Sequence, residues 1–211
     1  SITLALADKI DTLVGFFGID QKPTSSKDPF ALRRIALGVI RILLENNKDL
    51  KLKDLLNYSS NFYQEQGFNL INKTINKDLN IFLTDRLKNY MKEKNIRADI
   101  IEASIGSYSI DHIIKIYKKA LTLNKFINKE TGQTVISCYK RASNILDNEI
   151  KNQELILSNN SDPGLFKNDF EKNLYGKIHE LRKYFTSVGK DENYELSLQN
   201  LASSKTVIFD F

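Results

Sequence analysis

The sequence predicts an all-α protein. Apolar residues recur at the three- and four-residue spacing of helices along almost the whole chain, and the only short run with β-branched, strand-like character is Val207–Phe209. The content of 41% hydrophobic and 27% charged residues is that of an ordinary globular protein. At 211 residues the chain is long enough to bury a stable core. We therefore expect helices packed against helices.

The first two helices have the clearest predicted boundaries. The first runs from Leu4 to Phe17 and is ended by a glycine, after which a turn rich in Pro, Thr and Ser follows. Asp28 is the expected N-cap of the second helix, which starts at Pro29 and continues to Asn46. Because this helix is apolar around most of its circumference, we expect it to be buried on several sides. Its narrow polar face consists of Arg34, Gly38, Arg41 and Glu45, and the glycine would permit close approach by a neighbouring chain or by RNA.

The remaining periodicity predicts seven further helices. They span about Leu52–Gln66, Lys77–Lys94, Arg97–Ile105, Asp111–Asn128, Gln133–Leu157, Leu165–Val188 and Tyr194–Ser203. The periodicity breaks at Gly106–Ser109, where we place a boundary between two domains, residues 1–107 and residues 108–211. Turn-forming residues at Ser158–Gly164 and Gly189–Asn193 predict loops.

The composition limits the kinds of function. No apolar run approaches the roughly 20 residues of a membrane span, so we expect a soluble protein. The single cysteine excludes an intramolecular disulfide and a cysteine-rich zinc site, which favours the cytoplasm. The net charge of +5 and the pI near 9.1 suit a polyanionic partner. Because the sequence lacks a starting Met and stops within what reads as an element, we expect it to be part of a longer protein.

The residue types that most often carry chemistry form no catalytic pattern. Asp8 and Asp11 share one face of the first helix, where paired carboxylates can hold a metal, but structural pairing with the lysine between them or with an arginine of the second helix is the stronger interpretation. His112 and His179 have no triad pattern nearby, and Cys138 lies on an apolar helix face. Gly-rich phosphate loops, adenylate-binding motifs and zinc spacings are also missing from the sequence. We predict no catalytic centre and no metal site.

Basic residues give a more specific signal, because eight of them against four acidic residues lie between Asp111 and Lys151. Two groups occupy the outward faces of consecutive predicted helices: Lys115, Lys118 and Lys119 on one, and Lys140, Arg141 and Asn144 on the next. Another cluster surrounds the predicted start of the second helix: Lys22, Lys27, Arg33 and Arg34. These side chains suit contact with phosphates. The alternatives are a solvated lysine face and, for Arg33 and Arg34, pairing with carboxylates of the first helix.

Two adjacent segments resemble a known family. Residues 5–17 read ALADKIDTLVGFF and residues 22–34 read KPTSSKDPFALRR. Together they resemble the β subunit of the bacterial two-subunit glycyl-tRNA synthetase, with Ser25 where glycine is usual and Ile10 where leucine is usual. The resemblance implies that residues 1–107 are a helical body that includes the last helix of an HD-like domain.

Three later segments extend the resemblance over nearly the whole chain. Phe82–Ala103 is similar to a family stretch that contains Asp-Arg-Leu, and Tyr139–Leu146 is similar to the KRxxNIL segment of the family's anticodon-binding domain. Tyr194–Phe211 resembles the helix that leads to an FFDxVMV motif, and the sequence stops before that motif. The resemblance implies that residues 108–211 form an anticodon-binding-like helical bundle that is incomplete at its C-terminal end.

The function implied by this resemblance is tRNA binding within an aminoacyl-tRNA synthetase. The chain would be a non-catalytic part of a cytoplasmic glycine–tRNA ligase. Its partners would be a glycine-accepting tRNA and a separate catalytic α subunit, in an α2β2 enzyme. Neither a membrane nor DNA would be a partner. ATP and Mg would be used by the α subunit, and this part would need no cofactor. Arg141 and Asn144 would read base edges, while Lys115, Lys118, Lys119 and Lys140 would contact phosphates.

Two other functions remain open from the sequence. One is a helical protein-interaction module that does not bind RNA and whose lysines only solvate its surface. The other is a hydrolase of the HD type, which would need a bound divalent metal. Salt-dependent tRNA binding separates the first of these from the tRNA-binding hypothesis, and metal analysis tests the second.

Overall fold

The computed structural model describes residues 1–106, 110–153, 161–187 and 193–211. Its α-helices are α1 Ile2–Gly18, α2 Leu32–Glu45, α3 Leu52–Glu65, α4 Ile75–Glu93, α5 Ala98–Ile105, α6 Ile113–Ile127, α7 Glu130–Gln153, α8 Asp169–Ser187, α9 Tyr194–Ala202 and α10 Lys205–Asp210. Single 3-10 turns lie at Ile110–His112 and Pro163–Leu165. The described residues contain no strand, and the predicted all-α class is confirmed.

The chain divides into two compact units, which we call unit 1 (residues 1–121) and unit 2 (residues 122–211). The predicted boundary after residue 107 falls on residues 107–109, which lie outside the described part, and the assignment of domains 1–107 and 108–211 stays a prediction. Residues 158–160 of the predicted Ser158–Gly164 loop and residues 189–192 of the predicted Gly189–Asn193 loop also lie outside it, as do the predicted helix ends at residues 157 and 188.

Unit 1 is built around α1, which packs against α2, α3 and α4. Its core consists of apolar side chains at helical spacing, among them Leu13 and Val14 of α1, which are fully buried. On α2 the buried residues lie on one face of the helix: Leu32, Ala36, Val39, Ile40 and Leu43. Because α2 contacts both α1 and α4, the prediction that it is buried on several sides is confirmed.

The predicted start of α2 is wrong by three residues. The helix begins at Leu32, and Ala31 before it has φ 54°, in the left-handed region that alanine rarely adopts. Asp28 nevertheless caps the helix, because its carboxylate accepts from the backbone N–H groups of Leu32 at 2.8 Å and Arg33 at 3.0 Å. The turn through Ala31 separates Pro29 from the helix, so the proline is not its first residue.

Unit 2 has a smaller buried interior. Helix α7 packs against α9 and α10, and α8 also contacts both of those helices. Phe126, Cys138 and Ser204 are its buried side chains among the described residues. The burial of Cys138 confirms that it is a small core residue, and this burial raises the pKa of its thiol. The Val207–Phe209 run lies in helix α10.

None of the helices in the described ranges is both long and apolar enough to span a membrane.

Candidate nucleic-acid interface

The basic turn before α2 is held in place by ion pairs of Lys22. Its Nζ lies 2.6 Å from Oδ1 of Asp20 and 2.8 Å from Oδ2 of Asp78, and hydrogen bonds to these two carboxylates raise the pKa of Lys22. Lys22 in turn lowers the pKa of Asp78 to about 2, helped by hydrogen bonds from Asn72 and Thr74. Lys22 therefore joins the turn to the start of α4.

Lys27 and Arg33 belong to the same turn. The backbone of Lys27 exchanges hydrogen bonds with Thr24, and the Arg33 guanidinium donates to the Thr24 carbonyl oxygen. Arg33 also lies 3.9 Å from the carboxylate of Asp28. Arg34 is exposed, and no carboxylate of the described residues pairs with it. The alternative that α1 carboxylates neutralise Arg33 and Arg34 is therefore wrong, because Asp28 in the turn is the partner of Arg33.

A cleft lined mainly by charged residues lies between α2 and α4 in unit 1. It has a volume of about 480 Å³ and is lined by Arg33, Arg34, Leu37, Arg86, Asn89, Lys92 and Glu93. The guanidinium carbon of Arg86 lies 5.8 Å from the centre of the Phe82 ring, a cation–π distance. Its Nε is buried and has no hydrogen-bond acceptor among the described residues. The lining thus contains four cationic side chains and one carboxylate.

Sequence reasoning missed Arg86 and Lys92. Both are on α4, more than fifty residues after Arg34, and only the packing of α4 against α2 brings the two groups together. The available signal was the spacing of Arg86, Asn89 and Glu93, which places them on one helix face. That pattern shows a polar face and does not show which helix lies opposite.

Helix α6 turns apolar side chains inward, but only one of its three lysines predicted to face outward is exposed. Ile113, Ile114 and Ile116 are buried, while Lys118 is exposed. Lys115 and Lys119 are half-buried, and Nζ of Lys119 lies 3.5 Å from the Ala103 carbonyl oxygen. The three lysines lie in unit 1, where Lys118 is the most exposed of them.

The polar face of α7 lies in unit 2, and its three predicted residues differ in their surroundings. Lys140 and Asn144 are exposed. Arg141 donates from Nε to the Ile208 carbonyl oxygen at 3.1 Å and from Nη2 to that of Phe209 at 3.5 Å, and its guanidinium lies 5.6 Å from the Phe209 ring centre. Because helices leave their last carbonyls without intrahelical partners, Arg141 caps the end of α10. Its predicted role as a base reader stays a prediction.

An aromatic side chain beside these residues was also missed. Tyr139 is 73% exposed and immediately precedes Lys140 on α7. Exposed aromatic rings next to cations are typical of sites that stack unpaired bases. The sequence shows Tyr139 next to Lys140, but it does not show which face of α7 is packed, and the exposure of the ring depends on that packing.

Asp8 and Asp11 do not form the ion pairs predicted for them. Asp11 accepts hydrogen bonds from the hydroxyls of Ser59 at 3.3 Å and Tyr63 at 3.1 Å, and burial together with the Asp11 charge raises the pKa of Tyr63. Asp8 is exposed and has no cationic partner in the described ranges. The expected partner Lys9 lies against Gly38 of α2, so the pairing prediction is wrong and this glycine is approached by a side chain of α1.

The remaining candidate ligands are separate from one another. His112 is half-buried, with an Nδ1 that is buried and lacks a hydrogen-bond partner in the described structure, whereas His179 is exposed with its ring 5.2 Å from that of Tyr175. Within the described ranges, no three His, Cys, Asp or Glu side chains are grouped so as to hold a metal ion.

Comparison with known proteins agrees with the resemblance of the motifs. The family model described as glycyl-tRNA synthetase beta subunit matches residues 1–106, so the chain belongs to this family. A glycine–tRNA ligase beta subunit of Cereibacter sphaeroides is 35% identical over all 211 residues. That of Rickettsia canadensis is 38% identical over 209 residues, and that of Rhodospirillum centenum is 43% identical over 151 residues, which is 72% of this chain.

These relatives are longer than the chain. The aligned residues make up 30% of the Cereibacter sphaeroides protein, 29% of the Rickettsia canadensis protein and 21% of the Rhodospirillum centenum protein. The chain therefore spans less than a third of the length of the curated relatives it matches.

Proposed function

We propose that the chain is the tRNA-binding part of a glycine–tRNA ligase β subunit and supports glycyl-tRNA formation in translation. The observation that carries this proposal is the alignment of all 211 residues with a relative named as that subunit. The exposed basic and polar side chains on the described helices are consistent with an RNA partner.

The proposed chemistry is binding. Lys118 and Lys140 are exposed and would neutralise phosphates, which releases counterions and makes the affinity depend on salt. Asn144 would contact base edges, and the exposed ring of Tyr139 would stack on an unpaired base. Arg141 can join this contact only by exchanging its carbonyl partners on α10 for RNA acceptors.

The proposed partners follow from the family. Glycine activation, with ATP and Mg, is assigned to a separate α subunit, and this chain would contribute no catalytic group and no cofactor. The tRNA would be a glycine acceptor, the whole enzyme would be α2β2, and its place would be the cytoplasm. Neither a membrane nor DNA enters the proposal.

The test is a titration of the chain with a glycine-accepting tRNA and with an unrelated tRNA over a series of KCl concentrations. We expect affinity to fall steeply with salt, and Lys140→Glu to weaken binding of both tRNAs. Lys183→Glu is the matched control, because Lys183 is also an exposed lysine of unit 2 and lies on α8, outside the predicted basic groups. Binding that is absent at low salt, or equally changed by the two substitutions, contradicts the proposal.

A second candidate is a protein-interaction role without RNA binding. It is favoured by an open groove of about 590 Å³ between α1 and α3 whose lining includes Leu4, Tyr58 and Phe62. Leu4 is 72% and Tyr58 is 82% exposed, and Asp8 and Asp11 lie in the same lining. This combination fits one occupant, an amphipathic helix with an apolar face and a basic side chain beside it. In that case Tyr58→Ala would weaken association with the partner protein, and the wild-type chain would bind no tRNA even at low salt.

A further inference from the structure

We propose that the cleft between α2 and α4 binds phosphate groups, with Arg34, Arg86 and Lys92 as the binding side chains. The proposal rests on the proposed function in one respect, since RNA is the expected source of those phosphates. A small phosphate compound has the same chemistry, and the experiment below separates the two sources.

The charge of the cleft is the first argument. Its lining contains four cationic side chains and the single carboxylate of Glu93, so the cleft has a net charge of +3. Arg33 is partly neutralised by Asp28, which is not part of the lining, whereas Arg34 has no carboxylate partner in the described structure. Like charges gathered in one cleft repel one another, and a bound anion removes that repulsion.

Arg86 gives the second argument. Its guanidinium is held beside the Phe82 ring, and its buried Nε finds no acceptor in the described part of the chain. A guanidinium has five N–H donors and no acceptor, and a buried donor that is not hydrogen-bonded is destabilising. An anion in the cleft would accept from the terminal N–H groups of this guanidinium, while the buried Nε stays out of its reach.

The choice of phosphate follows from the donor set. Arginine presents paired N–H groups whose spacing matches two oxygens of a phosphate, and the amide of Asn89 adds a neutral donor. The cleft has a volume of about 480 Å³ and is open to solvent, so an anion can enter it. Glu93 opposes binding, because its carboxylate repels phosphate oxygens.

The first arm of the test compares two arginines of one helix. Arg34 and Arg41 are both exposed on α2, and Arg41 is outside the cleft. We expect Arg34→Ala to weaken tRNA binding about tenfold, the effect of losing one charge-assisted hydrogen bond, and to reduce the salt dependence by about one phosphate contact. Arg41→Ala should leave the affinity unchanged within about twofold, because an exposed charge outside the cleft contributes little binding free energy. Glu93→Gln should tighten binding.

The second arm uses pyrophosphate in place of RNA. In 15N-labelled protein, the Nε–H resonance of Arg86, assigned with Arg86→Lys, should shift saturably with pyrophosphate in the wild type and not in Arg34→Ala. Lys92→Ala is a second variant that should weaken the same response, and circular dichroism checks that each variant retains its helices.

The outcomes separate the two proposals. If the wild type binds no tRNA but the Arg86 resonance responds to pyrophosphate, the proposed function fails and the cleft is a site for a small phosphate compound. If tRNA binds with equal affinity to Arg34→Ala, Arg41→Ala and wild type, and pyrophosphate causes no shift, the cleft proposal is overturned while the proposed function stands. If the wild type neither binds tRNA nor responds to pyrophosphate, the cleft proposal and the proposed function are both overturned.

Discussion

Replacing Asp78 by asparagine removes a carboxylate whose contribution to the stability of unit 1 depends on pH in a defined way. Asp78 bonds Lys22 at 2.8 Å and accepts hydrogen bonds from Asn72 and Thr74, which together lower its pKa from the ordinary 3.8 to about 2. A group with a lowered pKa in the folded state stabilises that state above its unfolded pKa. The stabilisation is lost as the pH falls through the folded value, here between about pH 4 and pH 2.

The size of the effect follows from the same values. A difference near two pKa units corresponds to about 2.5 kcal/mol at neutral pH. Because the side chains of Asp78 and Lys22 remain 23% and 35% exposed, solvent screening reduces the expected contribution to about 1 kcal/mol. Asp78→Asn should therefore lower the free energy of unfolding of unit 1 by about 1 kcal/mol at pH 7 and by much less near pH 2.

Native-state hydrogen exchange measures this quantity for unit 1 alone, with the amides of Leu13 and Val14 in the buried part of α1 as reporters. Asp85→Asn is the matched control, because Asp85 is an exposed aspartate seven residues further along α4. The reasoning is refuted if Asp78→Asn has the same effect at pH 7 and pH 2, or no larger an effect than Asp85→Asn at pH 7.

Three further predictions concern unit 2. Gly132→Ala should destabilise unit 2 by more than about 1 kcal/mol, because the added Cβ would overlap the Phe126 carbonyl oxygen. Gly176→Ala adds a Cβ that meets nothing within 4 Å, so it should stabilise α8 by up to about 1 kcal/mol. Thermal unfolding compares the two variants, and destabilisation by both would be evidence against the described packing. Arg141→Ala should raise hydrogen exchange in α10, and unchanged exchange there would show that the cap contributes nothing. The Cys138 thiol should react slowly with a thiol reagent at pH 8 and rapidly in urea, because burial raises its pKa; rapid reaction without urea would contradict this burial.

The positions of the helices could be predicted from the sequence because burial follows the helical repeat. The α2 residues Leu32, Ala36, Val39, Ile40 and Leu43 show this, since their spacing alone defines a buried face. The start of the same helix could not be predicted from the sequence. Asp28 and Pro29 are typical both of a helix that begins at Pro29 and of one that begins a turn later. Only the left-handed conformation of Ala31 decides between the two.

The candidate site was less predictable, because its parts come from distant segments. Arg34 could be selected as an exposed cation, but its neighbours Arg86 and Lys92 depend on the packing of α2 against α4. The capping of α10 by Arg141 joins residues more than sixty positions apart. The predicted pairing of Asp11 with Lys9 or an arginine of the second helix failed for the same reason, since its partners are the hydroxyls of Ser59 and Tyr63 on α3.

The role expected for each cation of this chain therefore depends on the groups that surround it and not on its place in a motif. Lys22 and Arg141 are predicted from sequence as RNA contacts, yet both have partners within their own units, so neutralising them should change stability first. Arg34 and Lys140 are exposed, so neutralising them should change affinity for a polyanion and its salt dependence. Because a stability loss can imitate a binding loss, each binding variant has to be compared with its unfolding curve. A variant that loses affinity without losing stability identifies a binding side chain.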